Sequence, residues 1–248
     1  MKLTAVLACR NQSSRLYAKP LQNLDVEAKV TILDYMLEQI ALNPFIDDAV
    51  LAISQQKEND IYEDIAKKYK LQFVRGDDLD VLSRLVKAAQ LSGADNILRV
   101  TSESPFVYYQ HLDKVYNNHC SKGLDYSIIS GLPDGAAFEI INFKALKKSW
   151  DLGSKKHRSE LCTLYIFENQ DKFKIEKYPS PAEFNRLDMR LTVDWPEDLI
   201  VMREIYKALK LKPDQPLEFR KVIEFLDQNP KINAMNNWIS SGKGRIWY

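Results

Sequence analysis

The chain has 248 residues, enough for one large α/β domain with an inserted element and a sizeable buried core. Its 35 lysines and arginines against 34 aspartates and glutamates leave a formal charge of +1. That balance supplies neither the positive field of a nucleic-acid binder nor an acidic solvating tail, so any anionic ligand must be met locally. Three widely spaced cysteines (Cys9, Cys120, Cys162) with no CxxC pair argue against a disulfide framework or a thiolate metal site. No stretch approaches the ~20 apolar residues of a membrane span. The start, MKLTAVLACRNQ, has too short an apolar run for a signal peptide, so the expectation is a cytoplasmic protein with no membrane partner.

Residues 3–8 form an apolar run that reads as a buried first strand entering a polar, glycine-free loop. Thr31 can cap a helix carrying Ile32, Leu33, Met36, Leu37 and Ile40, which Asn43-Pro44 ends. A strand at 49–54 follows, then a helix opened by Asn59 or Asp60 with Ile61, Ile65, Ala66 and Tyr69 on one face. A strand at 71–74, a helix with Val81, Leu82, Leu85, Val86 and Ala89, and a strand at 96–101 continue the alternation. Strand and helix in turn imply parallel pairing through right-handed crossovers, a Rossmann-like half.

Beyond Pro105 the pattern loosens to a helix over 112–120, a strand over 126–129, and turn chemistry at 131–135. From about 138 to 180, short apolar runs alternate with charged stretches, which predicts an insertion poorly covered by the main sheet. Residues 190–194 alternate at period two and read as a strand, and Pro196 starts a helix with Leu199, Met202, Ile205 and Leu209. An amphipathic helix over 219–226 and a loose SGKGRIWY tail complete one α/β domain, 1–248, with a mostly parallel sheet.

Ligands of open α/β sheets lie beyond the carboxyl ends of the strands, which directs attention to three connections. After the first strand, RNQSSRLYAK at 10–19 gathers Arg10, Ser13, Ser14, Arg15 and Lys19, cations and hydroxyls able to meet a polyphosphate; the same loop could equally be a solvated basic one. Glu103, in TSESP, and Asp194 each put a carboxylate after a strand. Two carboxylates facing a cationic loop are what a magnesium-triphosphate site needs, although Asp194 could instead cap the helix at Pro196 and Glu103 could lie in a surface turn. Arg75 and Arg84 flank an acidic cluster in which Asp80 is expected to cap a helix. The three histidines lack metal-ligand spacing and no serine nucleophile elbow is present, which weakens hydrolase readings.

These segments resemble the cytidylyltransferase family that activates acidic sugars, and most of all its branch of spore coat polysaccharide biosynthesis protein F, over about residues 3–240. The family's A-R-x-G-S-x-R-L-x-G-K is met by Arg10, Ser13, Arg15 and Lys19, with Gln12 and Ala18 where the family has glycines. Arg75-Gly76, Asp80-Val81-Leu82 and Arg84 are similar to its second motif, residues 99–105 (RVTSESP) to R-I-T-S-D-C-P, and 190–199 (RLTVDWPEDL) to R-L-T-V-D-x-P-E-D-L. Where the family has E-H-V-T-P-Y, this chain reads ELCTLY at 160–165, without the histidine and proline.

The resemblance implies a Rossmann-like fold of the nucleotide-diphospho-sugar transferase type. It implies transfer of CMP from CTP to a small acidic acceptor in surface-polysaccharide biosynthesis, with Arg15 and Lys19 on the triphosphate. Arg10, Ser13 and Ser14 would serve the loop and nucleotide, Arg75 and Arg84 nucleotide contact, and Glu103 and Asp194 would bind Mg2+. Asp134, Glu139 and Glu160 lie on the implied acceptor side, and the insertion resembles an arm with which related enzymes form homodimers. An alternative from another class is a homologue that binds nucleotide or a partner without turnover. A third is a glycosyltransferase using a nucleotide-sugar.

Overall fold

The computed structural model describes residues 1–239; the expected loose tail lies outside them. The apolar run at the start forms β1 (Leu3–Cys9), whose alternate side chains face opposite cores. Leu3, Ala5, Leu7 and Cys9 join one cluster and Val6 the other, as buried strands covered on both sides require. After a two-stranded hairpin, β2 (Asn23–Asp25) and β3 (Val30–Thr31), the helix α1 (Ile32–Ala41) begins at a capping box: the Asp34 amide donates to Thr31 Oγ1 at 3.0 Å. Next come β4 (Asp48–Ser54), α2 (Ile61–Lys68), β5 (Gln72–Gly76), α3 (Val81–Ser92) and β6 (Asn96–Arg99). Asp80 caps α3 by accepting from the Ser83 amide at 2.8 Å.

The expected apolar face of α2 holds at Ile65, Ala66 and Tyr69, which pack on the core, while its first position is taken by Tyr62 and Ile61 is 45% exposed. Positions 62, 65, 66 and 69 complete one stripe at helical spacing.

The second half supplies α4 (Leu112–Lys122), β7 (Tyr126–Ser130), β8 (Glu139–Asn142), α5 (Phe143–Leu152), α6 (Leu164–Glu168) and β9 (Ile175–Pro179). It ends in α7 (Pro196–Ala208), α8 (Phe219–Gln228) and the short α9 (Pro230–Asn233). The seven-stranded sheet has the order β5-β4-β1-β6-β8-β7-β9, and β8 is the one antiparallel strand. Helices α1, α2, α4, α7 and α8 cover one face; α3, α5 and α6 cover the other. Among the described residues no helix is long and apolar enough to cross a membrane.

Two expectations are corrected here. The stretch 138–180 begins and ends with strands of the central sheet, β8 and β9, and the chain between them packs on the sheet through Leu146, Ile166 and Phe173. Short strands of four and five residues beside charged loops carry too little periodicity to announce themselves. Residues 190–194 are extended but form no strand of the sheet: their single bridge, Arg190 to Asp134, lies at the carboxyl end of β7. There the Leu191 amide donates to the Asp134 carbonyl at 2.7 Å and the Val193 amide to the Glu103 carbonyl at 3.0 Å, so the segment crosses the strand ends.

Behind the sheet, His119 on α4 is 1% exposed. It donates from Nε2 to Asn96 Oδ1 at 3.1 Å and accepts the Ser127 hydroxyl at Nδ1 at 2.8 Å, the only tautomer that satisfies both partners. Burial pushes its pKa down to about 4, against a weaker upward pull from Asp125. Because the unfolded chain takes up this proton near pH 6.5 and the folded chain does not, His119 contributes stability that is present above pH 6.5 and lost as pH falls towards 4. Chemical denaturation is expected to show a stability loss of roughly 2 kcal/mol from this group between pH 7 and pH 5, and a His119→Gln variant should lose that much less over the same interval.

Candidate active site

The chain order β1, β4, β5 runs outward on one side and returns through β6 on the other, so the loops after β1 and β6 diverge at a topological switch point. The loop after β1 is closed on itself. The Ala18 amide donates to the Asn11 carbonyl at 2.8 Å, the buried Asn11 donates its amide to Asn59 Oδ1 at 2.7 Å and its side chain to the Glu58 carbonyl, and the Tyr62 hydroxyl donates to the Arg10 carbonyl at 3.3 Å.

Of the two positions where the resemblance has glycine, one takes the left-handed conformation: Ala18, at φ 51°. Gln12 does not have positive φ, and its side chain accepts from Asn59 Nδ2 at 3.3 Å. The loop therefore reaches its shape without glycine, at the expense of about 1 kcal/mol of backbone strain at Ala18.

Opposite the loop lies a cluster centred on Arg190, 3% exposed. Its Nε donates to Asp198 Oδ1 at 2.8 Å, Nη2 to Asp194 Oδ2 at 2.7 Å, and Nη1 to Asp134 Oδ2. Asp198, fully buried, also accepts the amides of Asp194 and Trp195 at 2.8 and 2.9 Å, which fixes the turn that aims Asp194. On the other side, Asp194 Oδ1 receives Arg15 at 2.8 Å and Lys19 at 2.7 Å. Burial opposes ionisation of Asp194, but Lys19, Arg15 and the Arg190 hydrogen bond outweigh it and hold its pKa at about 2. Asp194 is thus an ionised carboxylate on the cleft wall and not the cap of α7; Asp198 takes the capping role.

Glu103 lines the same cleft from the turn after β6. Ser102 ties that turn to β1 by donating to the Ala8 carbonyl at 2.9 Å, and the hydroxyls of Thr101, Ser104 and Thr192 form a chain across it, with contacts of 2.6 and 3.0 Å. Desolvation pushes the Glu103 pKa up, only partly offset by Lys19.

The cleft has two halves that share Arg15, Lys19, Arg99, Glu103 and Glu160 on their walls. One half adds Arg10, Ser13, Ser14 and Arg84; the other adds Asp134, Glu139 and Asp194. Arg84 lies beneath the first half, where Nη1 donates to the Ala52 carbonyl at 2.7 Å and to that of Cys9 at 3.3 Å, tying together the ends of β1 and β4. Gly76 is what admits it: a Cβ there would stand 2.8 Å from Arg84 Cγ.

Arg75 is the correction. It turns away from the cleft and pairs with Asp60 and Glu63, both at 2.5 Å, and it donates to the Gln55 and Gln56 carbonyls. Adjacent strand residues point to opposite faces of a sheet, and Gly76 at the strand end offered no apolar neighbour from which to read the phase.

Arg190 and Asp198 stand in the RLTVDWPEDL motif four residues from Asp194 on either side, and that spacing is the local signal of their shared role. Asn236 left no signal. Fully buried, it donates to Asp198 Oδ1 at 3.0 Å and to the Arg190 carbonyl at 3.2 Å, bracing the cluster from the segment after α9.

A family model described as cytidylyltransferase matches residues 4–229. The chain is 29% identical over 237 residues to an uncharacterised protein of Methanocaldococcus jannaschii, covering 96% of this chain and 95% of that one. It is 28% identical over 227 residues to the spore coat polysaccharide biosynthesis protein SpsF of Bacillus subtilis, covering 91% and 94%. A cytidylyltransferase structure from Leptospira borgpetersenii matches with a TM-score of 0.83 at 26% identity, covering 94% of this chain and 97% of that one. A CMP:2-keto-3-deoxy-manno-octonic acid synthetase solved with CTP shares the fold at a TM-score of 0.64 and 13% identity, covering 85% and 100%.

Two substitutions test this construction. Asp198→Ala leaves Arg190 short of an anion and two amides without an acceptor; urea denaturation should show a loss of about 3–5 kcal/mol. Ala18→Gly relieves the left-handed strain but loosens the unfolded chain, and the net expectation in the same measurement is a gain of roughly 0.5 kcal/mol.

Proposed function

The chain belongs to the cytidylyltransferase family and is a nucleotidyltransferase; from that premise we propose that it transfers CMP from CTP to a hydroxyl of a small sugar-type acceptor, with Mg2+, in the making of surface glycans. The homodimer and cytoplasmic residence that the resemblance implies belong to the same reading. One observation carries it: Arg15 and Lys19, from a closed loop at the switch point, both rest on one oxygen of Asp194 in the cleft. Cations held on a single carboxylate are ready to exchange it for a triphosphate, which offers more negative charge and more acceptor oxygens.

In the reaction the acceptor hydroxyl forms a bond to the α-phosphorus as the bond to the pyrophosphate oxygen breaks, and the hydroxyl proton leaves to a base or to solvent. Little covalent chemistry falls to the protein, so positioning and charge neutralisation carry the rate. Lys19 and Arg15 take up the charge that grows on the leaving pyrophosphate. The closed loop presents Ser13 and Ser14 to the phosphates, while the buried Arg84 keeps the ends of β1 and β4 in register beneath the nucleotide.

Among the described residues no group of three or more metal-ligating side chains is present, so Mg2+ would be held by two carboxylates together with nucleotide oxygens and water, a donor set usual for this cation. Asp194 and Glu103 offer oxygen alone, and Glu103, its ionisation opposed by burial, is a carboxylate for which a divalent cation supplies the missing charge. Bound there, Mg2+ would neutralise phosphate oxygens and orient the triphosphate for in-line displacement. Release of Arg15 and Lys19 to the nucleotide leaves Asp194 available to that role, still oriented by Arg190 and Asp198.

With CTP, Mg2+ and a panel of neutral, amino and acidic sugars, the purified protein is expected to release pyrophosphate, and chelation should stop it. Asp194→Asn should lower release by at least roughly 10²-fold while calorimetry still registers CTP binding. Calorimetric binding of CTP by the unaltered protein, with no pyrophosphate from any acceptor, would favour a nucleotide-binding homologue without turnover.

A further inference from the structure

The acceptor half of the cleft is poor in cations able to receive an anion. Once a triphosphate holds Arg15 and Lys19, the remaining cation on its wall is Arg99, which stands at the junction and lines both halves. Arg99 is only 10% exposed, forms an ion pair with Glu139, itself 5% exposed, and donates to the Glu160 carbonyl at 3.0 Å. The pair is closed on its far side by Tyr126, whose hydroxyl donates to Glu139 Oε1 at 2.5 Å. Asp134 is likewise matched inside the protein, by Arg190.

Besides these internally matched pairs the wall offers one solvent-facing pair and neutral groups. Glu160, 72% exposed at the mouth, stands 3.7 Å from Arg10 of the other half, and Thr101 and Thr192 offer hydroxyls. Ile129, Leu132 and Leu161 give an apolar wall, and Leu161 stands where the resemblance has a histidine, so that position offers no charge or hydrogen bond. A carboxylate entering this half would have to draw Arg99 off Glu139 and leave Glu139 buried without its cation, an exchange of one buried pair for one bare buried charge. Hydroxyl and ammonium groups meet no such obstacle, because they donate to carboxylates already in place.

We propose that the acceptor is a neutral or amine-bearing sugar or polyol and not the acidic one that the resemblance implies, with the Arg99–Glu139 pair as the element that excludes a carboxylate. This rests on the reading of the cleft as a CTP site with an acceptor half beside it. It makes Glu139 a specificity determinant: it binds no carboxylate-bearing substrate itself, and it withholds the guanidinium that would.

Ligand-observed saturation-transfer NMR on the full-length protein tests it, with CTP present and divalent cations chelated to prevent turnover. The probes are methyl glucoside, glucosamine and glucuronate, which differ in charge on one ring skeleton. Methyl glucoside and glucosamine are expected to bind, and glucuronate at least tenfold more weakly. Glu139→Gln should narrow that gap by removing the buried anion matched to Arg99, and Leu132→Trp, which fills the acceptor half, should abolish the sugar signals. Glucuronate binding as tightly as methyl glucoside overturns the proposal. So does silence of all three probes, or persistence of their signals in Leu132→Trp. If Glu139→Gln does not fold, the ranking in the unaltered protein decides. The CTP signal is read separately in the same samples: its absence removes the nucleotide reading on which the acceptor half is defined, whereas CTP binding beside tight glucuronate binding overturns the acceptor preference alone.

Discussion

The cleft depends on one buried guanidinium. Arg190 holds Asp134, Asp194 and Asp198 at once, and three carboxylates around one cation would be untenable without further positive charge. Lys19 and Arg15 provide it, both on Asp194. Three cations thus balance three carboxylates drawn from three segments of the chain, with Lys19 and Asp194 175 residues apart.

That constraint explains why the segment 190–194 abandons the sheet. As a paired strand it would bury its alternating apolar residues but carry Arg190 and Asp194 along the sheet surface. Lying across the strand ends, it hydrogen-bonds to the backbone of Asp134 and Glu103 and brings both charged groups to the cleft. Gly135 permits the crossing, since at φ +88° a Cβ would stand 2.6 Å from Thr192 Cβ and 2.9 Å from the Leu191 carbonyl. Asn236 closes the cluster from behind, so a segment beyond the family match stabilises the group that aims Asp194.

The same logic divides the cleft. In one half, two cations share the single carboxylate of Asp194. Arg99 is held by Glu139 in a pair so enclosed, with Tyr126 behind it, that separation carries the full desolvation penalty. How readily each cation could leave its internal partner is therefore set by the number of cations on that partner and by its burial.

Much of this was legible in the amino-acid order. Apolar runs alternating with helical stripes specified β1, β4, β5 and β6 and their parallel sense, because buried strands and amphipathic helices must show their periodicities wherever they occur. The charged residues that follow β1 and β6 marked the cleft, since strand ends are where an α/β sheet exposes its backbone. Local pattern could not tell Arg75, which faces an outer ion pair, from Arg84, which runs under the nucleotide half; nor could it recognise β8 and β9 as central strands or find Asn236. Each of those depends on which distant segment lies alongside: on the Arg84 stem passing Gly76, on β6 offering an edge to β8, on Asp198 needing one more donor. The sequence by itself determined the fold class and the chemical inventory of the cleft. Only the tertiary structure decided which charges neutralise each other and which remain for a ligand, because that is a matter of distance and burial between residues far apart in the chain.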